Sequence, residues 1–128
     1  MSFLTEKSTI EQFFKLNFTE ALIKYENDEM NDDSVNEWVR ISIQNSKSFQ
    51  ASLGSNPLFR YIGVVFVQIF TKLDIGSGRA IEIADNLTQL FRAKRIGDIV
   101  FKVPSLQKIG VSNDWYQVNV SVEFFREE

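Results

Sequence analysis

The chain offers few residues able to do chemistry, and their spacing narrows them further. Gly76-Ser77-Gly78 precedes a helical pattern, which is where a phosphate-binding turn would stand. A dinucleotide fingerprint needs a third glycine where Ile81 sits, and a P-loop needs Gly-Lys-Ser or Gly-Lys-Thr. Neither is present, so Ser77 as an N-cap is the simpler account. From Glu26 to Glu37 there are six carboxylates and no Lys or Arg. As a calcium loop this run fails, because Met30 and Asp33 stand where a ligand and the invariant Gly belong. As acid–base groups its carboxylates would stay solvated, without the burial that raises a pKa. The sequence has no Cys and no His. Disulfides, thiolate metal sites and the usual imidazole base are therefore excluded. No Gly-x-Ser-x-Gly is present. The sequence predicts no catalytic residue, no metal ligand and no cofactor.

What remains is charge and aromatic surface. Arg92, Lys94 and Arg95 cluster at the end of a helical pattern, where cations complement the backbone dipole. The other reading is docking against the acidic Glu26–Glu37 run of a neighbour, since complementary patches at different places on one chain can close a ring. Trp38, Phe59, Tyr61 and Trp115 read as exposed aromatics, a type favoured at interface centres together with Arg, although any of them could fold back on its own core. The net charge of -3 and a pI near 5.0 argue against a protein held to nucleic acid by phosphate contacts.

These residues need a scaffold, and the final strand pattern organises it. Between Asp114 and Phe125, Tyr116, Val118, Val120, Val122 and Phe124 share one side of an extended backbone. Trp115, Gln117, Asn119, Ser121 and Glu123 share the other. Such a strand, about eleven residues and roughly 35 Å long, belongs inside a sheet. Glu37 to Asn45 alternates in the same way, with Val39, Ile41 and Ile43 inward and Trp38, Arg40, Ser42 and Gln44 outward. Gly63 to Thr71 is apolar on both faces: Val65, Val67 and Ile69 on one, Val64, Phe66 and Phe70 on the other. That predicts a central strand whose second face meets a partner subunit. Ala21 to Glu26 reads as a short strand ending at Asn27-Asp28, although continued helix fits so short a run. Asp98 to Pro104 reads as a returning strand with Ile99, Phe101 and Val103 inward. Ser46 to Tyr61 reads as a long polar connection, and Ser105 to Asn113 as the lead into the last strand.

Two helical patterns complete the inventory. Ile10, Phe13, Phe14 and Asn17 follow an amphipathic rhythm in a helix starting either near Ser2 or at a Ser8/Glu11 capping box. Arg79 to Lys94 places Ala80, Ile83, Ala84, Leu87, Leu90 and Phe91 on one stripe. Twelve Phe suggest a core built from rings. At 128 residues this is one α+β domain spanning 1–128, with a single mainly antiparallel sheet and two helices on one face. No signal peptide and no run of roughly 20 apolar residues is apparent, so no membrane partner is expected.

Several segments taken together resemble a known family. They are Glu37–Ile43, Arg60–Thr71 with Gly63-Val64-Val65-Phe66-Val67-Gln68-Ile69-Phe70, the helix with Ala84-Asp85 and Phe91, and Ile99-Val100-Phe101 through Trp115-Tyr116-Gln117-Val118-Asn119-Val120. In this order, from about Leu22 to Phe125, they look like the small tail terminator proteins of long-tailed bacteriophages, of the lambda U type. Tyr25-Glu26-Asn27 resembles the family's aromatic-acid-Asn strand end. The chain departs from the pattern in its acidic Asn31-Asp32-Asp33 and its long Ser46–Asn56 connection.

The resemblance implies a ring, as a rule a hexamer, that caps the tail tube at the tail–neck junction of the virion after assembly in the host cytoplasm. Its partners would be copies of itself, the tube protein and a neck or head completion protein, with DNA passing through unrecognised. Interface residues on this reading are Trp38, Arg40, Phe59, Arg60, Tyr61, Val64, Phe66, Phe70, Arg92, Arg95 and Trp115. The alternatives are a neck or head–tail connector adaptor, and a binding module that stacks ligands or nucleic acid on Trp38 and Trp115.

Overall fold

The computed structural model describes residues 1–26, 36–73 and 77–128. Its elements are α1 (Phe3–Asn17), β1 (Leu22–Lys24), β2 (Glu37–Gln50), β3 (Phe59–Lys72), α2 (Ser77–Phe91), β4 (Arg95–Ile96), β5 (Ile99–Phe101), β6 (Ser105–Ser112) and β7 (Trp115–Glu127). One sheet runs β1-β2-β3-β7-β5-β4, and β6 also pairs with β7, beside β5. Only β1 against β2 is parallel. The architecture is the α+β one read from the pattern. No helix among the described residues is long and apolar enough to cross a membrane.

Period-two alternation decides which side chains meet the helices. Val39 and Ile41 of β2, Val65, Val67 and Ile69 of β3, and Val118, Val120 and Val122 of β7 lie side by side in register and are buried. Ile10 and Phe14 of α1 and Ala80, Ile83, Ala84, Leu87 and Phe91 of α2 complete this core. Rings do hold it together. Phe14 stacks on Phe18 at 5.0 Å, Phe91 meets Phe101 at 5.2 Å, and Phe101 meets Phe124 at 5.9 Å. Each such side chain taken from water contributes about 1.5–3 kcal/mol. Phe124 crosses β3 at Gly63, where an added Cβ would lie 2.4 Å from the Phe124 Cζ, so only glycine leaves room for the ring.

Several boundaries differ from the sequence reading, each for a local reason. Of the two starts open to α1, the structure takes the longer helix from Ser2, whose Oγ accepts from the Thr5 N–H at 3.1 Å. Ser77 is the first residue of α2 rather than its cap. That helix stops at Phe91, three residues before Lys94, because Ala93 turns left-handed at φ 52 and swings the chain into β4. Val103, expected inward, is 68% exposed. Pro104 has no N–H to give the ladder, so β5 ends at Phe101. Ser105 to Asn113 is not a lead-in but strand β6, joined to β7 through Asn113-Asp114 with Asn113 at φ 57. Most of the polar Ser46–Tyr61 connection is hairpin: β2 and β3 stay paired to Gln50 and Phe59 across an irregularity between Asn45 and Ser48. The short strand expected before Asn27 is β1, while the acidic residues Asp28 to Asp33 lie outside the described residues.

A buried ion pair ties the two ends of the chain together. The Arg126 Nε donates to Glu6 Oε1 at 2.8 Å, with both side chains 1% exposed. The Asn45 amide donates to the other Glu6 oxygen at 2.8 Å. Arg126 also donates to the Met1 carbonyl at 2.6 Å and lies 4.3 Å above the Tyr61 ring and 5.2 Å from Phe3. Burial pulls the Arg126 pKa down, but the hydrogen bonds and charges of Glu6 and Glu128 outweigh it and hold the guanidinium above its ordinary value. The Met1 ammonium, 2.5 Å from Glu128, holds that carboxyl below the usual range, with Arg126 adding to the effect.

Removing one partner of such a pair strands the other in a dry site. Arg126→Met is expected to destabilise the fold by about 3–5 kcal/mol. Adding Glu6→Leu to it should recover most of the loss. Urea midpoints of the two single variants and the double variant measure the difference, and equal losses in Arg126→Met and the double variant would deny the pair this role.

Candidate assembly surface

The second face of the sheet carries the other half of each strand and neither helix covers it. Across it run the rows Trp38–Phe70–Gln117, Arg40–Gln68–Asn119, Ser42–Phe66–Ser121 and Gln44–Val64–Glu123. Its two ends differ. At one end Trp38 stacks on Phe70 with ring centroids 4.2 Å apart, Trp115 meets Trp38 edge-on at 6.1 Å, and the Lys24 ammonium lies 5.7 Å from the Trp38 ring. Trp38, expected as an exposed aromatic, is 2% exposed, and Phe70, expected at a subunit contact, is buried too, so these two form a small core of their own. Trp115 is half-buried at its rim. The Trp38 Nε1–H is buried without a hydrogen-bond partner among the described residues.

Toward the other end the face opens. Val64 and Phe66 are half-buried and line a groove of about 560 Å³ with Lys102, Val103, Ser105 and Glu123. Beyond it Phe125 shares a second hollow, of about 290 Å³, with Arg95 and Glu127. The Arg60 guanidinium lies 4.7 Å from the Phe125 ring and pairs with Glu127. Arg60 and Arg95, distant in sequence, are thus brought to one corner. Phe59 stands exposed at the end of β3. Tyr61 points the other way, onto Phe3 at 5.5 Å and Arg126, and fills the helix side. Arg40 lies half-buried in the middle of the face, beside Gln68 on β3. Arg92 stands apart, exposed just past the end of α2.

Charge on the opposite flank is already spent internally. Arg79 grips Glu37 through two bonds of 2.8 Å, Glu82 at 3.0 Å and Glu20 at 3.8 Å. The hydrogen bond to Glu37 leads in raising its pKa above the ordinary arginine value, against the opposing effect of burial. Glu26 extends β1 by accepting the Ile43 N–H at 2.7 Å. Both ends of the acidic run therefore act within the protomer. The expected interface set had no counterpart for Glu6, Arg126 or Phe125. The signal for Phe125 was its place at the end of the outward file of the last strand.

The geometry is that of a sheet with one face filled by the helices and a second face that neither helix covers. The family model of the phage tail terminator protein matches residues 7–124. This chain belongs to the phage tail terminator family. It is a structural, non-enzymatic protein of the bacteriophage tail, found in the virion. A solved chain whose name states no function superposes with a TM-score of 0.71, covering 98% of this chain and 96% of its own, at 16% identity. So low an identity speaks for the fold alone. No curated protein matches the sequence.

In this terminator family member the aromatic cluster is a stability element. Trp38→Ala is expected to cost about 3–5 kcal/mol, the range for removing a large buried ring. Phe66→Ala, on the open groove, is expected to cost much less in a dilute sample. Thermal unfolding of both variants compares them, and equal losses would place Phe66 in the core.

Proposed function

We propose that this chain forms a ring, a hexamer on the family's pattern, that caps the phage tail tube. The ring ends tube polymerisation and offers its far side for joining to the head at the tail–neck junction. A tube subunit must present complementary surfaces at both ends or growth stops. A terminator keeps the tube-binding end and replaces the other, a task that needs shaped surfaces and no catalytic group. The observation that carries the reading is the open face: Val64 and Phe66 lie half-buried on β3, opposite a face already filled by both helices. Apolar surface left uncovered on a protomer marks an interaction site. The contact expected of Val64, Phe66 and Phe70 reduces to the first two, because Phe70 is spent on Trp38. With Arg60 and Arg95 at the adjoining corner, this face is the proposed subunit or tube contact. Partners are further copies, the tube protein and a neck or head completion protein. A net charge of -3 suits a passage through which DNA slides without being held.

The wild-type chain is expected to sediment at several times 14.8 kDa. Phe66→Glu should remain soluble and folded yet sediment as a protomer. Unfolding of that variant instead would assign Phe66 to the core and sink the contact.

Arg92 and Arg95 are exposed at the end of α2 and in β4, where screening by salt is strongest. Arg92→Glu combined with Arg95→Glu is expected to weaken assembly at low salt, with the difference fading near 1 M. Sedimentation profiles that do not respond at low salt would remove charge docking from the assembly.

A further inference from the structure

The hairpin joining β2 to β3 is the least explained surface of the molecule. Ser48 to Phe59 is a run of twelve residues without a charge, in a chain that is 24% charged. Leu53 at its tip is 92% exposed, and Phe49, Leu58 and Phe59 are exposed beside it. The tip is nevertheless shaped. The Ala51 N–H donates to the Leu58 carbonyl at 2.6 Å, and the Ser52 hydroxyl accepts from the Leu58 N–H at 2.8 Å. Gly54 stands at φ 122, a conformation closed to most side chains. The strand pairing ends beneath it, with Phe59 and Glu128 exchanging two backbone bonds. Among the described residues, nothing of this chain covers the tip.

We propose that this hairpin tip inserts into the groove on the open sheet face of a second copy, with Leu53 and Leu58 against that copy's Phe66, Val64 and Val103. The inference rests on the ring reading and supplies its contact. The groove, about 560 Å³, falls in the range of roughly 300–1,000 Å³ typical of sites that bury a ligand. Charge agrees on both sides. The groove's ionic side chains, Lys102 and Glu123, lie 3.8 Å apart and neutralise one another, and the tip brings no charge of its own. Docking therefore strands no unpaired charge, the usual penalty for burying a polar rim. A tip already folded in its exposed form loses little further entropy on binding. Knob and groove occupy different places on one chain, so a one-way contact between copies is head-to-tail, and its repetition gives a ring when the rotation closes without a rise.

The chain has no Cys, so an introduced pair reports the contact directly. Leu53→Cys with Val103→Cys, oxidised in the assembled state, is expected to give a reducible covalent ladder that stops at the ring number, while each single variant gives none. Leu53→Asp with Leu58→Asp should keep the wild-type circular dichroism and unfolding midpoint but sediment as a protomer. Rings that persist in the Asp variant, together with no ladder in the Cys pair, would overturn tip docking and leave the ring itself standing. A crosslink within one chain, or dimers from the Leu53→Cys single variant, would overturn it too. A wild-type chain that stays monomeric at every concentration removes both readings.

Discussion

Two helices on one side of a seven-stranded sheet impose the constraint from which the rest follows. Side chains leave a strand alternately up and down, so β3 cannot hide Val65, Val67 and Ile69 beneath the helices without presenting Val64, Phe66 and Phe70 on the opposite surface. Among the described residues no further layer roofs them. The molecule resolves the problem unevenly. At the Trp115 end it packs Trp38, Phe70 and Trp115 against one another and closes a small second core. At the Phe125 end it leaves a groove. The first solution serves the protomer, and the second is what a building block of a larger wall requires.

The ends of the chain are held by a different force. Glu6 in the first turns of α1 and Arg126 near the end of β7 are 120 positions apart, and both are almost fully buried. Such pairs give back in Coulomb attraction and hydrogen bonds about what desolvation takes, so their value is as a lock on geometry more than as net stability. Here the lock sets how α1 lies on the sheet. It also draws Tyr61 and Phe3 to the guanidinium, which leaves Tyr61 half-buried on the helix side. Arg79 does similar work at the other end, binding the start of β2 to α2 through Glu37. Ion pairs thus join helix to strand at both flanks of the open face.

That division fits what membership of a structural tail family asks of a chain. A tail component must be stable alone and must also carry surfaces that are incomplete alone. Groups suited to catalysis would add nothing to that task, and the residue types in this sequence are chosen for packing and pairing. The matched family span, 7–124, begins just after Glu6 and ends just before Phe125 and Arg126.

Alternation carried most of the fold in the sequence itself. Val39, Ile41 and Ile43, the two files of β3, and Tyr116 to Phe124 announced their strands because a half-buried strand must repeat every second residue, and α2 announced its stripe because a helix must repeat near every fourth. The summed segments were specific enough to point to the tail terminator family. Where both faces of a strand meet water, that signal vanishes, and so the far half of β2 and all of β6 read as loop until their partners were in place. Burial on the second face was likewise undecidable from the chain alone. Trp38 and Phe66 occupy equivalent outward positions, and only the stacking of Trp38 on Phe70 makes one of them core and leaves the other at the groove. The Glu6–Arg126 pair had no local signature at all, since a charge reveals that it is buried only when the fold brings its counter-charge within hydrogen-bonding distance.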